Sequence, residues 1–165
     1  MTTLPRGEAA DVHRAARRRR AVAAAGAVCA GLLVLSACDK PTPVSTVTVG
    51  QDSVNSEALC YNDGKALDAK SLAKCAKNAG DIKSIKVDQD ENVRFGVDPK
   101  IADAGWTILV NGRQFTESSK KTYRVIPGSA FFNAQYGTQG DSNTVSIQMG
   151  ASPAKGLWSF KLKKA

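Results

Sequence analysis

Histidine, free thiol and serine beside a base are the usual raw material of hydrolytic and metal chemistry, and this 165-residue sequence offers little of it. Its one histidine, His13, lies in an arginine-rich N-terminal stretch. Beyond residue 37 there is none, which removes Ser-His-Asp and Cys-His nucleophile systems and every His-ligated zinc, copper or iron site from that part of the chain. Two Ser-x-x-Lys matches, Ser71/Lys74 and Ser118/Lys121, have the spacing in which an amine assists a hydroxyl. The companion Ser-Asp-Asn and Lys-Thr-Gly motifs are missing, so both read as chance matches. Asp88, Asp90 and Glu91 offer oxygens suited to a hard cation, but the glycine and distal bidentate glutamate of a calcium loop are absent, and a solvated turn is expected. Paired carboxylates for glycoside hydrolysis are defined by a separation of ~5–9 Å in space, and no pair stands out in the sequence. The expectation is a protein with no catalytic residue, no metal and no cofactor.

The first 37 residues differ in kind from the rest. They hold six arginines and no lysine, and from Ala21 to Ala37 they run without a charge. Arg14 and Arg17 to Arg20, followed by that apolar stretch, have the order of a secretory signal peptide. At ~1.5 Å per residue the stretch reaches about 25 Å, short of the ~30 Å hydrocarbon core that a permanent span must cross. It ends Leu35-Ser36-Ala37-Cys38, which resembles the lipobox of bacterial lipoproteins at all four positions. The resemblance implies a diacylglyceryl thioether on Cys38, then cleavage between Ala37 and Cys38 at the small residues a peptidase can approach. Stable anchoring follows from two acyl chains, since each buried CH₂ contributes ~0.8 kcal/mol. The expected location is the extracytoplasmic face of the cell membrane, reached by the general secretory or the twin-arginine route.

Of the four cysteines, Cys29 leaves with the leader and Cys38 is alkylated. Cys60 and Cys75 remain, an even pair in an oxidising compartment, and a structural disulfide is expected. Closing a loop of that size is worth ~3 kcal/mol in the chain-entropy model. A redox role would call for Cys-x-x-Cys spacing, which is absent.

The remaining residues suffice for one domain, expected over 44–165 behind a stiff polar tether, 38–43, that contains Pro41 and Pro43. Val44 to Val49 reads as a first strand and Val54 to Cys60 as a weaker second. From Asp68 to Gly80 the period changes: Asp68 caps a helix, Leu72, Cys75, Ala76 and Ala79 share a face, and Gly80 ends it. The disulfide would staple this helix to the second strand. Alternation then returns in Ile85/Val87, Val93/Phe95/Val97, Trp106/Ile108/Val110, Tyr123/Val125, Val145/Ile147/Met149 and Trp158/Phe160/Leu162, with Asn111-Gly112 as a hairpin turn. Eight or nine strands and one helix predict an all-β protein, an antiparallel immunoglobulin-like sandwich with Trp106 and Trp158 facing its core.

Asp39-Lys-Pro-Thr-Pro43, Ile82-Lys-Ser-Ile-Lys-Val87, Val93-Arg-Phe-Gly-Val-Asp-Pro99, Gly105-Trp-Thr-Ile-Leu109 and Ile126-Pro-Gly128 together resemble a secreted, Streptomyces-like actinobacterial lipoprotein family that is carried as a domain of unknown function. The Arg- and Ala-rich leader agrees with such a source. The resemblance implies a cell-envelope lipoprotein with one small β-rich domain, and it brings no activity, ligand or catalytic residue.

Half of the net charge of +8 belongs to the leader, so the domain is only mildly basic and nucleic acid is discarded as a partner. Two basic groups, Lys120/Lys121/Arg124 and Lys161/Lys163/Lys164, suit anionic headgroups or wall polymer, but also suit solvated strand edges, which is the reading preferred. Pro127 to Asn143 is long for a hairpin loop and holds Phe131, Phe132, Asn133 and Tyr136. These would contact a glycan or peptide, or fold back to plug the end of the sandwich, the preferred reading. The function expected is a membrane-anchored, non-enzymatic interaction or structural module of the envelope, with an unknown envelope protein or glycan as partner. The alternative is a solute- or glycan-binding lipoprotein using the 127–143 loop.

Overall fold

The computed structural model describes residues 42–77, 82–138 and 140–165. The leader, the lipobox Leu35–Cys38 and most of the tether lie outside these, as do Ala79 and Gly80 of the expected helix. Residues Thr42–Ala165 form one compact unit. Its elements are β1 (Ser45–Val49), β2 (Asp52–Ser56), β3 (Cys60–Tyr61), α1 (Ala69–Lys77), β4 (Ser84–Val87), β5 (Asn92–Val97), α2 (Pro99–Asp103), β6 (Trp106–Val110), β7 (Arg113–Gln114), β8 (Tyr123–Pro127), β9 (Ser142–Met149) and β10 (Gly156–Lys164).

Alternating apolar residues make two largely antiparallel sheets, ordered β2-β1-β5-β8 and β3-β10-β9-β6-β7. β4 joins the second sheet as well, running parallel to the last residues of β10 with Ile85 opposite Leu162. The sheets pack face to face, as period-two strands with one apolar side require. Val47, Val49, Val93 and Phe95 from the smaller sheet meet Val87, Trp106, Ile108, Val145, Ile147, Trp158, Phe160 and Leu162 from the larger one. Both buried indoles find acceptors, as a buried N–H must. Trp106 Nε1 donates to the Lys121 carbonyl at 2.7 Å and Trp158 Nε1 to the Pro43 carbonyl at 2.8 Å. The second bond fixes the point where the chain joins the domain.

Several expectations need correction. The stretch Val54 to Cys60 is not one strand. β2 pairs with β1 in the smaller sheet and β3 with β10 in the larger one, because the chain crosses between layers from Ser56 to Cys60. Tyr123 and Val125 do not continue the inward pattern. Tyr123 is opposite Gly96 and Val125 opposite Arg94, on the outer face, and the two are 64% and 48% exposed. Ile126, opposite Val93, takes the inward place, and a one-residue shift in reading exchanges the faces of the whole strand. α2 was not foreseen, although Pro99 at its start supplies a preset φ where the missing N–H costs nothing. Asn111 and Gly112 do make the β6–β7 turn, both with positive φ, 50° and 79°.

Beyond β8, a 3₁₀ turn over Gly128–Phe132 begins where the chain presses against the turn that precedes β5. A Cβ on Gly128 would collide with the Asp88 carbonyl oxygen, so only glycine fits. The turn drops Phe131 into the core, its ring centroid 5.7 Å from Phe95 and 5.5 Å from Phe115. Phe131→Ala is therefore expected to lower the unfolding free energy by about 3–5 kcal/mol, measured by urea denaturation.

Candidate functional site

The larger sheet has a second face, and strand register fixes what stands on it. Leu109, Ser146 and Ser159 form one row across β6, β9 and β10. Thr107, Gln148 and Leu157 form the next, which ends on Cys60 of β3. An outer face would ordinarily be polar and wet. This one carries two leucines, and Thr107, Ser146, Leu157 and Ser159 are buried.

What lies over it is α1. The helix begins with Asp68, whose Oδ1 accepts the Ser71 N–H at 2.8 Å and whose Oδ2 accepts the Ser71 hydroxyl at 2.7 Å. These bonds, the hydroxyl one foremost, hold the Asp68 carboxyl below the ordinary value of 3.8. Just before it, the Leu67 N–H donates to the Ala154 carbonyl at 2.7 Å, tying the start of the helix to the β9–β10 connection. Farther along, Cys75 is joined to Cys60 by a disulfide with Cα atoms 5.9 Å apart. Because Cys60 shares its face with Leu157, the bond rises from the outer face of the sheet. It staples α1 to β3, not to the second strand.

The helix is amphipathic, yet none of its residues is buried. It stands off the sheet and leaves a cleft of about 540 Å³. One wall is Ala69, Leu72, Ala73 and Ala76, with Ile82 beside them; the floor is Leu109, Leu157, Thr144, Ser146, Gln148 and Ser159; Asn111 and Gly112 contribute at the hairpin. The volume falls in the ~300–1,000 Å³ range of small-molecule sites, and a mostly apolar lining with a few converging polar groups is their usual composition. Among the described residues, no charged side chain lines the cleft. At its floor the Ser146 and Ser159 hydroxyls are hydrogen-bonded to each other at 2.7 Å. Each hydroxyl retains bonding capacity toward an occupant. Neither has a basic side chain among the lining residues, so the pair is suited to orienting a ligand and not to attacking one.

The remaining candidates are placed elsewhere. The Ser71 hydroxyl donates to the Asp68 carboxylate that caps α1, and so is engaged away from Lys74. Asp88 Oδ1 accepts the Asp90 N–H at 3.1 Å in a local turn. In the 127–143 loop, Phe131, weighed as a contact residue, is wholly buried and packs in the core. Phe132 is half-buried against the core. Asn133 caps a second 3₁₀ turn, Ala134–Tyr136, its Oδ1 accepting the Gln135 N–H at 2.9 Å. Tyr136 is 59% exposed and meets Phe115 edge-on at 5.9 Å. The loop still touches the cleft indirectly. Asn143 donates to the Phe131 carbonyl at 2.7 Å and accepts from Asn111 at the hairpin at 2.7 Å.

Sequence reasoning missed the cleft, though it left a signal. Leu109 and Leu157 each break strict alternation beside a residue of the inward set, Ile108 or Val110 and Trp158. Apolar residues at outward positions of β6 and β10, the two strands that flank β9, mark a face that something covers. No protein-family model matches the chain. Neither the curated proteins nor the solved structures yield a match.

Since the folded pKa of Asp68 lies below its unfolded value, its contribution to the helix is present above the unfolded pKa and is lost as pH falls through the folded one. Amide exchange at Leu72 and its neighbours should therefore speed up, relative to the sheets, on acidification below about 3.8, and Asp68→Asn should flatten that dependence.

Proposed function

We propose that this protein is a lipid-anchored, non-enzymatic binding module of the cell envelope, and that its cleft takes a neutral, largely apolar ligand. The lipobox at Leu35–Cys38 and the leader before it support the anchor at the extracytoplasmic face. The sequence segments named above support membership of the actinobacterial lipoprotein family, and two packed β-sheets support an immunoglobulin-like sandwich as its domain.

One observation carries the binding role: an amphipathic helix covalently held over a partly apolar sheet face without closing on it. Apolar surface left open in this way gains free energy, ~25 cal/mol per Å², when an occupant removes it from water. The described lining residues are uncharged, which disfavours an ionised group inside, where it would lose its hydration without a counter-charge among them. The serine pair and Gln148 set where a hydroxyl, amide or carbonyl of the ligand sits. A second reading places glycan contact on the 127–143 loop, favoured by the exposed ring of Tyr136.

Two measurements test the proposal. Fatty-acid labelling in cells should mark the wild-type chain and not Cys38→Ala. Residues 38–165, titrated with a neutral solvatochromic dye, should bind it in the cleft. Leu72→Asp on the helix and Leu109→Asp on the floor should each weaken binding by about tenfold or more, equivalent to 1.4 kcal/mol, with melting temperatures near wild type. Unchanged dye binding in both variants contradicts the cleft as the site. If Tyr136→Ala alone abolishes binding of envelope glycan, the loop reading takes its place.

A further inference from the structure

The chain joins the domain at one end of the sandwich, where three exposed lysines and an exposed tyrosine stand near the point of entry. The Pro43 carbonyl is held by the Trp158 indole, and the Val44 N–H donates to Asp98 Oδ2 at 3.1 Å. The Thr122 carbonyl accepts the N–H of Val97, the residue next to Asp98, at 2.9 Å. Ser119 exchanges backbone bonds with Trp106 at 2.8 and 2.9 Å, and the Lys121 carbonyl accepts the Trp106 indole N–H. The segment 119–122 is thus fixed to both sheets beside the tether. It carries exposed Lys120 and Lys121, and exposed Lys100 lies on α2, which follows Val97, the hydrogen-bond partner of Thr122. Tyr123 continues from it with 64% of its surface open to solvent. The acidic residues at this end are Asp98, which is engaged by Val44, Asp103 on α2, Glu57 beside Val44, and Glu117 two residues before Ser119. At the opposite end lie exposed Asp88, Asp90 and Glu91.

We infer that this end, through Lys100, Lys120, Lys121 and Tyr123, docks on an anionic lipid headgroup surface and sets the orientation of the domain. The inference rests on the lipid-anchor reading for its source of proximity. Five residues separate Cys38 from the fixed Pro43 carbonyl, and at ~3.5 Å each they hold this end within about 17 Å of the lipid. The far end stands roughly 30 Å beyond, given ~3.3 Å per residue along β10. Surface potentials fade over a Debye length of ~8 Å, so only the near end samples the field of the headgroups. Tyrosine is a side chain that settles at that boundary, with its ring toward the acyl region and its hydroxyl in the headgroups.

The test couples residues 38–165 through the Cys38 thiol to a maleimide lipid, which reproduces the tether whether or not cells acylate that cysteine. Cys60 and Cys75 are joined to each other, and the segment contains the whole compact unit. Hydrogen exchange is compared on vesicles of phosphatidylcholine and of phosphatidylcholine mixed with phosphatidylglycerol. Expected is slowed exchange over 119–123 on the anionic vesicles only, abolished by high salt. Each lysine contributes about a fivefold factor to the docked population, so K100Q/K120Q/K121Q should reduce it roughly a hundredfold. K161Q/K163Q/K164Q, on a strand that runs to the far end, should leave it near wild type. Identical exchange on both lipids, or a triple variant that behaves as wild type, overturns the inference. Equal protection by a soluble polyanion without vesicles also overturns it and assigns the lysines to wall polymer. Fatty-acid labelling of the full chain separately decides the anchor reading, so the two can fail independently.

Discussion

The Cys60–Cys75 bond ties a helix with no fully buried residue to the outer face of the larger sheet. An amphipathic helix ordinarily stays in place because its apolar stripe is removed from water. α1 is nine residues long and none of them is buried, so burial supplies little of the force that holds it. Its position is set instead at two points, the Leu67–Ala154 hydrogen bond with the Asp68 cap at one end and the disulfide near the other. The gap between those points is the cleft. A disulfide acts on the unfolded chain by limiting its conformations, ~3 kcal/mol for a loop of this length, and here it also maintains a surface that the native state would otherwise not keep open in one shape.

The sandwich makes this arrangement affordable in physical terms, because the inner faces of the two sheets carry stability without it. Trp106, Trp158, Phe95, Phe131 and Phe160 are all buried between them. The same strands that build this core also carry Leu109, Ser146, Leu157 and Ser159 on their other side, so the register that sets the core also sets the cleft floor. Linkage runs further through the Asn111–Asn143–Phe131 hydrogen bonds, which tie the hairpin end of the cleft to the loop that plugs the sandwich.

Much of this was legible in residues. The inward sets of β5, β6, β9 and β10 follow from strict alternation of large apolar side chains, and the disulfide follows from two cysteines with no other assigned role. Asn111-Gly112 announced its turn through the positive φ that few other pairs adopt. Less legible were features decided by partners distant in sequence. Nothing local tells Tyr123 and Val125 from an inward pair; their facing is set by register against Arg94 and Gly96. Nor does the sequence near Ser56 say that the chain changes sheets there. The cleft was the hardest to see, because it depends on how far a helix stands from a face about 75 residues away in the chain, as Leu72 and Ser146 do.

Hydrogen exchange of the α1 amides, followed by mass spectrometry before and after reduction of the disulfide, tests most directly whether the covalent link holds the helix over a self-sufficient sandwich. Residues 69–77 are expected to lose protection on reduction while β5, β9 and β10 keep theirs. Continued protection of α1 in the reduced protein, or loss of protection in the helix and both sheets together, contradicts a helix held by the covalent link.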